Sequence, residues 1–210
     1  MNGYDAILFD FDGVLADSEP LHCASWCEVL QPLGISLDWQ TYSMYCIGIP
    51  DREAAMFFCG LKQPPADFEA VWSLYPAKSE SFVRRISGEP PILDSVRRLL
   101  PQLREYRLGV VTATERRFVE PALRAAGIFD WFDLVLGAED VAKTKPAPEP
   151  YLAAMERLGA VKGLAVEDSD TGEASARQAG LDVVRVAHPG ETAWVVLSQL
   201  GLSGDAINFR

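Results

Sequence analysis

The stretch Ile7-Leu-Phe-Asp10-Phe-Asp12-Gly13-Val-Leu-Ala-Asp-Ser-Glu19 runs an apolar segment straight into two carboxylates spaced two residues apart. Residues 4–9 read as a β-strand that ends on Asp10. Two acids at a strand end can face one pocket once the chain leaves the pleat, and Gly13 permits a tight turn there. Taken alone, Asp-x-Asp-Gly after a strand is often only an Asx-turn. The apolar strand before it, and the helical region after it, give it weight. Further along, residues 108–111 end on Thr112, 134–136 on Gly137 and 164–166 on Glu167, and 183–186 close the series. Between these runs lie amphipathic stretches. Ile92, Val96, Leu99, Leu100 and Leu103 keep helical spacing, as do residues 118–126, 151–158 and 171–179, the last with Gly180 as its stop.

Strands that alternate with helices predict an α/β fold, a Rossmann-like doubly wound parallel sheet. In such sheets ligands bind beyond the carboxyl ends of the strands, where the polar residues just named fall. The alternation breaks between residue 17 and about residue 87. Trp26, Val29, Leu30 and Leu33 keep helical spacing up to Gly34, and Phe68, Val71, Trp72 and Tyr75 do so later. Gly88-Glu-Pro-Pro91 punctuates the return. The organisation expected is an α/β core of residues 1–15 and 88–210 with an inserted all-helical cap of residues 16–87.

Composition narrows the functional classes. The 210 residues are 49% hydrophobic and 23% charged, as in an ordinary globular protein, with a net charge of −11. That balance speaks against nucleic acid or an anionic membrane surface as partner. No apolar run reaches the roughly 18 residues of a membrane span. The N-terminus lacks the pattern of a secretory signal, so the expected compartment is the cytoplasm, and a monomer is the default. Cys23, Cys27, Cys46 and Cys59 fall in one stretch without zinc-finger spacing, and are read as free thiols that act as small hydrophobes.

Three more motifs carry chemistry. In Gly109-Val-Val-Thr112-Ala113-Thr114 a hydroxyl at a strand end can hold a phosphoryl oxygen while nearby backbone N–H groups add donors; a helix N-cap is the competing reading. In Lys143-Thr-Lys145-Pro146-Ala-Pro148-Glu149, the proline keeps Lys145 out of helical geometry, and a fixed loop can aim its amine inward, whereas Lys143 reads as a solvated surface residue. In Val166-Glu167-Asp168-Ser-Asp170-Thr-Gly172, consecutive acids after a strand are expensive to crowd unless a cation neutralises them. Oxygen ligands without His or Cys favour Mg²⁺ over zinc. Asp170 alternatively caps the following helix.

In order and position the four motifs resemble the haloacid dehalogenase superfamily, over essentially the whole chain. The insert resembles its helical-cap subgroup, which includes β-phosphoglucomutase and small sugar-phosphate phosphatases. The resemblance implies that Asp10 is the nucleophile, forming an aspartyl-phosphate, and that Asp12 is the acid and then the base. It implies Mg²⁺ held by the Asp10 carboxylate, the Asp12 main-chain carbonyl and the Asp168 carboxylate, with Glu167 as a ligand or as support. Thr112 would hold a phosphoryl oxygen and Lys145 would offset charge. Gly13, Ala113, Thr114 and Arg116 are implied substrate-binding positions, as are the cap residues His22, Arg52 and Lys78. For His22 a helix-surface role stands beside that of assisting the acid/base step. Pro76, two residues before Lys78, is expected to break or kink that helix.

Two departures from the mutase pattern stand out. The subgroup's Gly-x-Ser-Arg reads Gly48-Ile-Pro50-Asp51-Arg52, with the arginine displaced by one, and Glu115-Arg116 replace a Lys-Asn pair. The activity expected is therefore Mg²⁺-dependent hydrolysis of a small phosphorylated metabolite, a sugar phosphate foremost. A phosphohexomutase is the alternative, and a catalytically silent binding protein the more distant one. His188-Pro-Gly190 and residues 194–210 carry no readable motif. The charge divides as −4 in the cap and −7 in the remainder. Activity is expected to vanish under chelation.

Overall fold

The computed structural model describes residues 3–202. The chain divides into two compact units, one of residues 18–89 and one formed by the segments on either side. Their junctions fall at 17/18 and 89/90.

The two-segment unit is built on a five-stranded, wholly parallel sheet in the order β3-β2-β1-β4-β5. The strands are β1 (Ala6–Phe9), β2 (Arg107–Val111), β3 (Leu134–Leu136), β4 (Gly163–Glu167) and β5 (Asp182–Arg185). Because β1 is central, Ala6, Ile7, Leu8 and Phe9 are all fully buried, which explains an unbroken apolar run instead of alternation. Phe9 pairs with Val110 on one side and Val166 on the other. This register brings Asp10, Thr112 and Glu167 out at the same edge. Asp10 N–H donates to the Val166 carbonyl and Thr112 N–H to that of Leu136, both at 3.0 Å.

The crossover helices of this unit are α6 (Asp94–Leu99), α7 (Arg116–Ala125), α8 (Glu149–Leu158), α9 (Asp170–Gln178) and α10 (Thr192–Leu200). The apolar spacing from Ile92 to Leu103 holds, but Pro101 has no N–H to extend an α-helix, and residues 100–103 tighten into a 3₁₀ turn. Ser169, not Asp170, caps α9, accepting from Gly172 N–H at 3.0 Å; Asp170 pairs instead with Arg185. Residues 203–210, the end of the motif-free C-terminal segment, lie outside the described residues.

The cap unit consists of α1 (Glu19–Leu30), α2 (Trp39–Tyr45), α3 (Asp51–Cys59), α4 (Phe68–Trp72) and α5 (Tyr75–Gly88). Its own core gathers Trp26, Leu30, Tyr42, Ala55, Phe58 and Val71, with the Trp26 and Phe58 rings 5.2 Å apart. The spacing that linked Phe68 to Tyr75 belongs to two helices, because α4 ends at Trp72. Pro76 does not break α5. It lies in the first turn, where no intrahelical N–H bond is lost. All four cysteines are free, Cys23 and Cys46 being buried. Among the described residues no helix is long and apolar enough to cross a membrane.

Gly109, the register partner of Leu8, leaves room for that side chain: a Cβ there would stand 2.8 Å from Leu8 Cδ2. Gly109→Ala should therefore overpack the sheet face and lower stability by about 1–3 kcal/mol, measured as a fall in urea midpoint at unchanged slope. An unmoved midpoint would show that Leu8 yields freely.

Candidate active site

At the end of β1 the chain turns back sharply. Leu15 N–H and Ala16 N–H both donate to the Phe11 carbonyl, at 2.9 and 3.0 Å, and Gly13 N–H donates to Ala16 at 2.9 Å. Gly13 takes a left-handed φ of +72°. A Cβ on it would come within 1.9 Å of Asp168 Oδ2. Only a glycine lets the loop after β1 lie against the carboxylate that follows β4.

Asp10, Glu167 and Asp168 each bring an oxygen to within 4.8 Å of the others. Lys145 reaches in from the loop before α8, its side chain 4% exposed. Its Nζ lies 2.6 Å from Glu167 Oε1 and 3.0 Å from Asp10 Oδ1. The second contact is an ion pair without hydrogen-bond alignment, so the buried Asp10 Oδ1 keeps an unused acceptor position. Glu167 is fully buried, and its Oε1 also accepts from the Tyr151 hydroxyl. A Cβ on Gly172 would fall 2.0 Å from Glu167 Oε2. Glu167 is thus seated under the first turn of α9.

One ammonium does not balance three carboxylates. Burial, then the charges of Asp10 and Glu167, push Asp168 up to about 7. Burial and the Asp10 charge likewise raise Glu167, against the pull of Lys145. Burial works against the Lys145 ammonium, yet Asp10 and Glu167 outweigh it and hold the lysine above its ordinary value. The cluster is short of positive charge, built wholly of oxygen donors and has an orphaned buried acceptor. Those three properties fit a hard divalent cation.

Asp12 is held from the β2 side. Thr114 Oγ1 donates to Asp12 Oδ2 at 2.6 Å, and Thr114 N–H donates to Thr112 Oγ1 at 3.0 Å. Thr112 is buried, and Ala113 between the two threonines is exposed. Asp10, Lys145, Glu167 and Asp168 therefore form one cluster with Gly13 against it, while Asp12, Thr112 and Thr114 form a hydrogen-bonded chain. Arg116 lies elsewhere. Its guanidinium is within 3.0 Å of Asp140, 3.4 Å of Glu139 and 3.9 Å of Glu120. In the cap, Arg52 lies over the rings of Phe68 and Trp72, at 4.9 and 5.3 Å. Lys78 and His22 contact each other, 2.9 Å apart.

Tyr151 escapes a reading by hydrophobic spacing, which counts it as one more apolar residue of α8. Its signal was the hydroxyl itself, since a tyrosine on a buried helix face needs a polar partner.

The sequence model of the haloacid dehalogenase-like hydrolases matches residues 7–186. The chain belongs to this family. It is similar to the protein CbbY of Rhodobacter capsulatus, 34% identical over 192 residues that cover 85% of this chain and 83% of that protein. Similar too is the fructose-1-phosphate phosphatase YqaB of Escherichia coli K12, 33% identical over 189 residues, 87% of this chain and 96% of that one. A crystal structure of a CbbY variant from Rhodobacter sphaeroides, in complex with xylulose-(1,5)bisphosphate, superposes with a TM-score of 0.69. The two are 30% identical, over 86% of this chain and 84% of that chain. As a haloacid dehalogenase-like protein, this chain is an enzyme, a hydrolase on a Rossmann-like core.

The contact between Gly13 and Asp168 gives a direct check on the cluster. Gly13→Ala should weaken divalent-cation binding roughly 10- to 100-fold, as loss of a positioning contact does at metal sites, in a calorimetric titration. Unchanged affinity would show that Asp168 does not depend on this close approach.

Proposed function

We propose that the protein is a Mg²⁺-dependent phosphatase that hydrolyses a small phosphorylated metabolite, a sugar phosphate, through an aspartyl-phosphate on Asp10. The observation that carries this reading is the Asp10 carboxylate itself. It is buried, paired with Lys145 at 3.0 Å and grouped with Glu167 and Asp168. That arrangement suits an anionic nucleophile working beside a cation. The names of the relatives, which include a sugar-phosphate phosphatase, support it.

In this reading Asp10 and Asp168 would hold Mg²⁺ together with the Asp12 main-chain carbonyl. Glu167, its Oε1 already taken by Lys145 and Tyr151, acts chiefly as support. Bound Mg²⁺ would screen the incoming phosphate from the carboxylates and stabilise charge on the transferred group. Asp10 attacks phosphorus in line, while Lys145, 3.0 Å away, offsets charge beside it and keeps its carboxylate aimed. Thr112 Oγ1 accepts from Thr114 N–H, so its own hydrogen is left to donate to a phosphoryl oxygen. Thr114 fixes the Asp12 carboxyl, which gives a proton to the leaving oxygen and later takes one from the attacking water. Free thiols at all four cysteines suit a reducing cytoplasm. The net charge of −11 suits a small-molecule substrate and no polyanionic partner.

Two measurements test this. Asp10→Asn should cut hydrolysis of an aryl phosphate at least about 10³-fold, and EDTA should abolish wild-type activity until Mg²⁺ is restored. A variant as active as wild type would remove Asp10 from its role. The second uses stability. Asp168 titrates near 7 in the folded protein and near 3.8 when unfolded, so the metal-free fold binds the extra proton between these values and loses stability as pH rises through them. Mg²⁺ binding needs the ionised form. The Mg²⁺-induced rise in Tm should therefore be larger at pH 7.5 than at pH 5; equal shifts would place the ion elsewhere.

A further inference from the structure

One buried group beside the acid cluster has no part in the chemistry above. Tyr151 stands in the first turn of α8 and is fully buried. It belongs to the apolar cluster of Leu8, Val111, Leu136, Ala154 and Ala165. For packing alone a phenylalanine would serve there, since a buried hydroxyl gains nothing unless it finds a partner. The Tyr151 hydroxyl donates to Glu167 Oε1. The same oxygen accepts from Lys145 Nζ at 2.6 Å, and that Nζ lies 5.3 Å from the centroid of the Tyr151 ring. One side chain thus touches both members of an ion pair, the acid through its hydroxyl and the cation through its ring face.

The pair matters because Lys145 is divided between two carboxylates. Its aligned hydrogen bond goes to Glu167, while Asp10 Oδ1, at 3.0 Å, holds it by charge alone. A Glu167 satisfied only by the lysine would be free to turn, and the ammonium would turn with it. Tyr151 gives Oε1 a second, fixed donor. The other oxygen, Oε2, is bounded by Gly172, where a Cβ would stand 2.0 Å away, and by the Ser169 hydroxyl at 3.4 Å. Glu167 is therefore anchored at both ends, and the anchor on the lysine side comes from α8.

We infer that Tyr151 is a positioning residue, which fixes Glu167 as a stationary counter-ion and so holds Lys145 beside Asp10. The inference rests on the phosphatase reading. Tyr151 acts through its two neighbours, so its hydroxyl bears on the rate of attack and on the order of the cation-binding acids. Substrate affinity does not depend on it.

The test uses the full-length enzyme with an aryl phosphate. Tyr151→Phe keeps the ring and removes the hydroxyl. It should lower kcat about tenfold or more with KM within about twofold of wild type. In a calorimetric titration with Mg²⁺ alone, its Kd should rise about tenfold. Tyr151→4-aminophenylalanine restores a donor on the same ring and should recover kcat to within about threefold of wild type. Removing a buried donor can cost the fold, so a third readout uses the wild type only. The Tyr151 hydroxyl proton, shielded from water, should give a slowly exchanging NMR signal that persists when Mg²⁺ is added. Its loss on adding Mg²⁺ would mean that the hydroxyl releases Glu167 in the loaded site, and overturns the inference. So does a Tyr151→Phe enzyme whose kcat and Mg²⁺ Kd both match wild type, because the hydroxyl then serves packing alone. A rise in KM at unchanged kcat also overturns it, by making Tyr151 a substrate contact. Those outcomes leave the phosphatase reading standing. A wild-type enzyme that hydrolyses no phosphate ester removes the reading and the inference together.

Discussion

Charge crowding around one buried ammonium is the constraint on which the core depends. Lys145 and Glu167 are almost wholly withdrawn from water and lie 2.6 Å apart, and Asp10 leans on the same lysine. Removing one member of such a group strands the others, which costs far more than the pair contributes when intact. The neighbouring residues meet that cost in different ways. Tyr151 brings a hydroxyl from α8, Ser169 caps α9, and two glycines leave out the side chains that would collide with Asp168 and Glu167. Even so, the acids are not fully neutralised. A deficit of this kind leaves the cluster able to accept a further positive charge.

The cap solves the opposite problem. Its buried lysine is surrounded until nothing of its charge or donors is left over. Lys145 lies between the Asp10 and Glu167 carboxylates; Lys78 is closed off by one carboxylate, one imidazole and three rings. The two lysines look alike in a sequence. Their surroundings leave one in a cluster with an excess of acid and the other in a cluster whose charge is matched.

That contrast marks what the sequence alone could reveal. Strand-end motifs were legible because chemistry at such positions tolerates few residue types, and the apolar runs leading into them define the strand ends. Asp10, Asp12, Thr112, Lys145 and Asp168 were singled out that way, and the parallel direction of the strands, though not their order, followed from the alternation of strand and helix. The pairing of Asp51 with Lys78 was hidden, because the partners lie 27 residues apart on different helices and no periodicity records which helices meet. Arg116 looked available since its carboxylate partners Glu139 and Asp140 come from beyond β3. Pro76 was read as a helix breaker because its position within the first turn depends on where α4 ends.

One small contact at the junction reaches further than its size suggests. Asp17 N–H donates to the Pro91 carbonyl at 3.0 Å, and Ala16 bridges Ile92 beside it. The core thus closes a ring at the base of the whole helical insert, and the two ends of that insert leave from adjacent points. A segment whose ends already meet imposes little demand on the scaffold that carries it, and loop-closure entropy grows only slowly with its length, about 0.6 kcal/mol per doubling. In evolutionary terms the junction is a socket. One helical module can be exchanged for another there without disturbing the register of the parallel sheet.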